Sequence, residues 1–381
     1  MSSVEQLLQT PLHGWHASNN GRMVDFAGWS MPVQYKSIID EHNATRNAIG
    51  MFDVSHMGRF FFSGTDVEQM LDRLTTRKVK GAGVGRIRYS LMCNDAGGIL
   101  DDVLVYHLPK LDGTSFHMMV VNASNREKIH KWIESQRQDG DDFQLNDRTT
   151  ETAMIACQGP KTNSLVAEIS ELDPDSLKYY TGATTKVCGH ETIVSRTGYT
   201  GEDGCELIVD NAHAEEIWNE IHGRATKIGG MACGLASRDT LRLEAAMPLY
   251  GHELGEDFNA AQTDLSFAMS FKEREFSGRS AILAAKKENV LPVRIGLQLE
   301  GKRAARENCD IIVGGEKVGT ITSGTFSPTL QKSLSMGYID PKHADVGKQV
   351  TIDIRGKSHD CLLYTSPSPR DQRGSRMPSS A

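Results

Sequence analysis

No stretch of the chain approaches the roughly 20 consecutive apolar residues that a membrane-spanning helix needs, which argues against a membrane partner. Basic residues are not in excess either: 42 Lys and Arg stand against 49 Asp and Glu, a formal charge of −7. A dedicated nucleic-acid or anionic-membrane binder would need a basic surface, so that class is set aside. The seven cysteines are scattered and no C-x-x-C pair occurs, which leaves no disulfide or zinc framework. They read as buried thiols in a reducing compartment. The opening MSSVEQLLQTPLHGWH lacks the basic flank and apolar core of a secretory signal and is not Arg-rich like a transit segment. A cytoplasmic enzyme is the expectation.

What the chain has is length and ordinary globular composition. Its 381 residues, 39% hydrophobic and 24% charged, exceed one core and imply two or three domains. Ser37 to Ala48 reads as a short helix with Ile38, Ile39 and Ile49 available for burial. Arg59-Phe60-Phe61-Phe62 reads as a strand whose phenylalanines are core. The helix after it has Thr65 and Glu68 at capping-box spacing, as Ser124 and Glu127 are before a later helix. Ile87 to Cys93 and Ile99 to Tyr106, joined by Asn94-Asp95-Ala96-Gly97-Gly98, form a predicted hairpin.

Part of this order recurs. FFFSGTDVEQML resembles MIACQGPKTNSLV at 154–166, and MMVVNASNREKIHKWI at 118–133 resembles ELIVDNAHAEEIWNEI at 206–221. Each pair is a strand followed by a helix, which implies a duplicated α+β unit. From Arg294 the texture changes to short strands (294–299, 309–313, 317–322, 335–339, 349–354), consistent with a small antiparallel barrel or sandwich. The final Ser-, Pro- and Arg-rich run from Thr365 cannot bury enough surface to offset its ordering entropy. It is expected to be disordered and foreign to the domain.

The most informative residues are charges inside apolar runs. GGILDDVLVY (97–106) carries Asp101 and Asp102 in a β-branched strand, where only one of an adjacent pair can face inward. The expectation is Asp102 inward and Asp101 away, in a structural role. Glu206 in GCELIV and Arg238 in GLASRDTLRLE are the other two. For each alone, a buried structural ion pair is at least as plausible as a ligand contact. Together they suit a ligand with a donor-rich heterocycle at one end and carboxylates at the other. Gly81-Ala82-Gly83-Val84-Gly85 follows no strand and opens no helix, so it reads as a turn rather than a phosphate loop. Asp95, Asp101 and Asp102 lack metal-ligand spacing, and His13, His16, His42, His56 and His107 form no metal motif.

Seven blocks in order, MVDFAGWSMPVQY, MFDVSHMG, GGILDDVLVY, VVNASNREK, SRTGYTGEDGCEL, CGLASRDTLRLEAAMPLYG and ITSGTFSPTL, strongly resemble the T protein of the glycine cleavage system, a tetrahydrofolate-dependent aminomethyltransferase. The likeness covers roughly residues 10 to 360. It implies an α+β fold of three-domain, cloverleaf-like architecture with duplicated units and a C-terminal antiparallel β-barrel. The implied division is 1–275 for a folate-binding region, with about 51–148 inserted between 1–50 and 149–275, then 276–361 for the barrel and 362–381 for the tail. The implied reaction moves the methylene of an aminomethyl-lipoyl group on the H protein to tetrahydrofolate and releases ammonia. No metal is implied. By likeness Asp102 is catalytic, Glu206 binds the pterin, Arg238 the glutamate end, and Tyr89, Asn122 and Tyr199 line the channel, with Met57 beside the folate. A desolvated carboxylate suits this chemistry, because the transferred carbon passes through a cationic, iminium-like state and the attacking amine must lose a proton. The family's aromatic and basic ending is replaced here by the Ser/Pro/Arg tail, so weakened folate affinity is expected. Two other readings share the scaffold: a folate-dependent demethylase acting on a small methyl donor, and a non-catalytic folate-binding protein, which would be expected to lose the aspartate.

Overall fold

The computed structural model describes residues 6–364. The chain divides into two compact units. Among the described residues, one comprises 6–72, Val79–Tyr89 and Val103–Arg238; the other comprises Arg73–Lys78, Ser90–Asp102 and 239–364. This partition differs from the boundaries expected from the sequence, because 90–102 and 239–275 cluster with the barrel residues. Among the described residues no helix is long and apolar enough to cross a membrane.

The first unit is built on a six-stranded sheet in the order Gly182–Val187, His190–Ser195, Gly204–Asp210, Thr152–Gln158, Gly50–Asp53, Met231–Ala232. The helix Asn211–Lys227 covers it. Asp210 caps that helix by accepting from the Ala212 amide at 3.0 Å, and Ala214, Ile217, Trp218, Ile221 and Ala225 recur at helical spacing on its buried side. They meet Ile155, Cys157, Cys205 and Leu207 in one core. Five of the seven cysteines are buried as expected from the sequence, Cys188 and Cys309 only partly, and all seven are unpaired.

The duplicated pattern has a structural counterpart. Gly58–Ser63 pairs antiparallel with Ser115–Val121, and Thr152–Gln158 pairs antiparallel with Gly204–Asp210. In each pair both strands run on into helices: Val67–Leu74, Arg126–Ser135, Thr162–Ala167 and Asn211–Lys227.

Several local expectations are corrected. Ile39 is 54% exposed, and the helix Ile38–Asn47 buries Glu41, His42, Ala44 and Thr45 instead. The Glu41 carboxylate accepts from the amides of Tyr35 and Gly234 at 2.6 and 2.8 Å, which offsets its desolvation. Thr65 is not the cap of its helix; its hydroxyl and amide both donate to Asp142, each at 2.9 Å. Ser124 lies within a 3₁₀ turn, Ala123–Asn125, that precedes the helix Arg126–Ser135.

In the second unit Val293–Leu299, Lys332–Ile339, Glu316–Ser327, Asp310–Val313, Gln349–Asp353 and Ser358–Tyr364 form a closed barrel in that order. Ile295, Leu297, Ile311, Ile321, Ile339, Ile352 and Leu363 fill it. Closure by the sixth strand, which sequence patterning did not separate from the tail, makes this a barrel and not a sandwich. The last barrel strand therefore runs to Tyr364, past the expected boundary at 361, and the expectation for 365–381 falls outside the described residues.

Candidate active site

Glu206 lies mid-strand in Gly204–Asp210, opposite Ser195 on one neighbour and Ala156 on the other. It is 4% exposed. Thr197 donates its hydroxyl to the Glu206 carboxylate, and Ser195 Oγ lies 2.8 Å from Thr197 Oγ1. Burial raises the acid's pKa above its ordinary value, against the opposing effects of the Thr197 hydrogen bond and the Arg238 charge.

Tyr106, fully buried, faces the same group. Burial and then the Glu206 charge push its phenol well above the ordinary range, while the neighbouring Thr197 and Ser195 hydroxyls oppose the shift. Its hydroxyl nevertheless has no partner at hydrogen-bonding geometry. Arg238 sits over the Tyr199 ring at 4.9 Å. Its Nη1 is buried and also unpartnered. Burial pulls this guanidinium down, and the charges of Glu206 and Tyr199 oppose that. His56 is 3% exposed, with Nδ1 lacking a partner. Burial pushes its imidazole down to about 4; Asp53 opposes the shift, and Arg238 and Arg59 add to it. It is neutral at pH 7.

Native interiors rarely leave buried polar atoms unpaired. Three belong to one chain of interactions, Tyr106 and Arg238 to Glu206 and His56 to Arg238, and they offer hydrogen-bonding positions that a ligand could complete. Glu206 supplies acceptors for N–H groups, and Tyr106 Oη, Arg238 Nη1 and His56 Nδ1 supply further polar contacts. This donor set fits a nitrogen-rich heterocycle carrying an anionic or carbonyl group.

The loop Ser55-His56-Met57 is held from behind by Arg59, which is completely buried. Its guanidinium donates to the carbonyls of Ser55, Met57 and Thr152 at 3.0, 2.5 and 2.8 Å, and to that of Thr149. Asp53 sets the other end of the loop by accepting from the Ser55 amide at 2.9 Å. Gly58 is required there, since a Cβ would lie 2.4 Å from Val121. Met57 is half-buried, as are Tyr89, Asn122 and Tyr199.

Asp102 belongs to the other unit, as the last residue of Ser90–Asp102. The burial of the aspartate pair reverses the expectation. Asp101 is fully buried and Asp102 half-buried in the strand Ile99–Pro109. The reason is that farther along this strand both faces are covered: Val103 and Val105 on one, Tyr106 and Leu108 on the other. An apolar run without alternation does not reveal which carboxylate is enclosed.

Sequence reasoning singled out Glu206, Arg238 and Tyr199, which the fold brings into one charge-coupled group. It missed Ser195 and Thr197, although both lie in the SRTGYTGEDG block, and it gave Tyr106 and His56 no ligand role. Hydroxyls two residues apart at a strand end have no distinctive pattern, and their convergence on Glu206 is tertiary.

Comparison with known proteins shows the family. Residues 12–273 match the family described as GCVT N-terminal domain, and residues 293–368 match the glycine cleavage T-protein C-terminal barrel domain. The chain belongs to the glycine cleavage T-protein family. It is 38% identical over 356 residues to an aminomethyltransferase of Caldanaerobacter subterraneus, covering 93% of this chain and 94% of that one. It is 40% identical over 378 residues to an aminomethyltransferase of Streptomyces coelicolor, covering 98% of this chain and all of the relative. The crystal structure of glycine cleavage system aminomethyltransferase T from Bartonella henselae superposes with a TM-score of 0.87 at 28% identity, covering 95% of this chain and 98% of that one. This family member is therefore an enzyme, an aminomethyltransferase of the glycine cleavage system, and the demethylase and non-catalytic readings are not favoured.

Proposed function

We propose that the enzyme takes tetrahydrofolate as co-substrate at the Glu206 site and accepts the methylene from an aminomethyl-lipoyl group carried by the H protein, releasing ammonia. The observation that carries this reading is the buried, unpaired polar set linked to Glu206 and Arg238. In it Glu206 accepts from the pterin N–H groups, Tyr106 and His56 complete the polar wall, and Tyr199 and Arg238 bind farther along the folate. Met57, Tyr89 and Asn122 complete the lining.

Asp102 is the proposed catalytic residue. A carboxylate can stabilise the positive charge that develops on the carbon as the C–N bond to ammonia breaks. It can also take the proton lost by the attacking folate amine. The unpaired thiols and the lack of any basic surface excess are consistent with a cytoplasmic setting, and no metal is assigned to the transfer.

Asp102→Asn separates chemistry from binding. The expected outcome is a loss of kcat by about 10²-fold or more with tetrahydrofolate affinity, measured by calorimetry, within a few-fold of the wild type. Unchanged kcat with loaded H protein overturns the assignment of Asp102. Failure of the wild-type protein to bind tetrahydrofolate overturns the reading of the site.

A further inference from the structure

Strand pairing in the first unit sets His107 directly opposite His117. Their rings stack, with centroids 4.1 Å apart and planes 19° from parallel. His107 Nε2 lies 3.2 Å from Ser115 Oγ. The other nitrogen of that ring, Nδ1, is buried without a partner, and so is Nε2 of His117. Two adjacent imidazoles each present a desolvated nitrogen to nothing in the protein, a costly arrangement unless a ligand completes it.

A third group lies beside them. Glu68, in the first turn of the helix Val67–Leu74, brings a carboxylate oxygen to the pair, so that one ligand atom from each of the three residues lies within 4.8 Å of the others. A tetrahedral transition metal with bonds of ~2.1 Å separates its ligand atoms by roughly 3.4 Å. Because an imidazole lone pair lies in its ring plane, binding requires the two rings to turn out of their stack while Glu68, half-buried, swings toward them.

We propose that Glu68, His107 and His117 form a binding site for a borderline divalent cation of the Zn²⁺ class. Two imidazoles and one carboxylate suit zinc, cobalt, nickel or copper, whereas magnesium and calcium favour all-oxygen sets. The bound ion staples the helix Val67–Leu74 to the strands Ile99–Pro109 and Ser115–Val121 and takes no part in the transfer reaction. A second grouping, His190, His213 and Glu216, is weaker, because His190 Nε2 already meets Glu216 at 2.9 Å and no orphaned nitrogen faces it.

The test is titration of the metal-stripped full chain with Co²⁺ and Zn²⁺. Visible absorption, calorimetry and thermal melting are followed, with Glu68→Gln, His117→Gln and His190→Gln variants alongside. Expected results are one equivalent of Co²⁺ with nitrogen–oxygen ligand-field bands and no thiolate charge transfer, and a higher Tm with Zn²⁺. Affinity should fall about tenfold or more in Glu68→Gln and His117→Gln but not in His190→Gln. Glu68 lies on the helix surface, so its variant remains informative if His117→Gln misfolds. Absence of binding at micromolar metal overturns the proposal. So does binding that survives both Glu68→Gln and His117→Gln, or binding lost only in His190→Gln.

Discussion

At Glu206, one side chain has opposing effects on stability and binding. Burial raises its pKa above the ordinary 4.5, so the folded state holds this proton more tightly than the unfolded chain. The sign follows by linkage: ionising the group costs stability, and the cost grows as pH rises from about 4.5 through the raised folded value. Glu206→Gln removes that cost. The ligand-free variant should melt higher than wild type at pH 7, with the difference vanishing below about pH 4.5. The same variant loses a charge-assisted acceptor worth roughly 1.5–3 kcal/mol, so tetrahydrofolate binding should weaken about 10- to 100-fold. Melting across pH and binding calorimetry check both arms. An unchanged dissociation constant would show that Glu206 does not contact the folate.

Arg59 poses a different question, since among the described residues its guanidinium meets backbone carbonyls and the Thr152 hydroxyl and no carboxylate. Its guanidinium is pulled down to about 9 by burial, with Asp53 and Asp147 opposing. It is best understood as a positioning residue for Ser55-His56-Met57. Arg59→Met keeps the apolar stem but strands several carbonyls. The expected effect is a higher KM for tetrahydrofolate with a smaller change in kcat, and steady-state kinetics at saturating H protein would show it.

Among the elements, the hairpin that leads into Asp101 and Asp102 was the most legible part of the sequence, and the structure explains why. Asn94 Oδ1 accepts from the amides of Ala96 and Gly98 at 3.1 and 2.9 Å, and the Asn94 amide donates to the Gly98 carbonyl at 2.9 Å. Such a turn is encoded locally. Gly98 has a second reason to be glycine: a Cβ there would stand 2.2 Å from the Glu256 carbonyl oxygen. Gly98→Ala should therefore cost about 1–3 kcal/mol in urea unfolding and lower turnover, because the strand bearing Asp102 starts here. An alanine variant of wild-type stability would mean that the backbone can yield at this point.

Helix caps were the least legible elements. Thr65 and Ser124 had the right spacing, but one hydroxyl is drawn to Asp142, 77 residues away, and the other lies in a 3₁₀ turn. Local propensity identifies a candidate donor or acceptor; only tertiary packing decides its partner. The proposed metal ligands were hidden for the same reason: His107 was set aside for want of a motif, and His117 and Glu68 gave no signal as ligands. The two histidines lie on two paired strands, and their third ligand comes from a helix some forty residues earlier in the chain.

For the whole molecule, buried ionic groups outside the site govern its response to acid. In the first unit Asp53 accepts from Thr10 at 2.6 Å and lies 2.9 Å from His16 Nε2, with both side chains of the latter pair fully buried. Burial alone would raise its pKa, but the His16 hydrogen bond and charge and the Ser55 and Thr10 bonds outweigh it and hold the group at about 2. In the second unit Glu253 bonds Arg242 at 2.9 Å, Thr322 at 2.5 Å and the Leu249 amide at 3.0 Å. Burial again works against ionisation and is outweighed, first by the Arg242 charge, so its pKa lies below 4.5. A carboxyl whose folded pKa is lowered stabilises the fold above its unfolded pKa, and that share is lost as pH falls through the folded value. Stability should thus decline below about pH 4.5 as Glu253 is protonated, and the Asp53 share should be lost between pH 3.8 and about 2. The Arg242–Glu253 pair lets this be tested at neutral pH as well. Glu253→Gln leaves the guanidinium, 2% exposed, with Asp239 as its remaining carboxylate partner, and should cost about 3–5 kcal/mol. Arg242→Met combined with Glu253→Leu removes both charges and should recover most of that loss, because well-packed apolar replacements of a buried pair are often neutral or stabilising. Urea midpoints at pH 7 and pH 4 distinguish the cases: the double variant should lose less stability on acidification than wild type. Equal acid sensitivity in the two proteins would place the acid-labile group elsewhere.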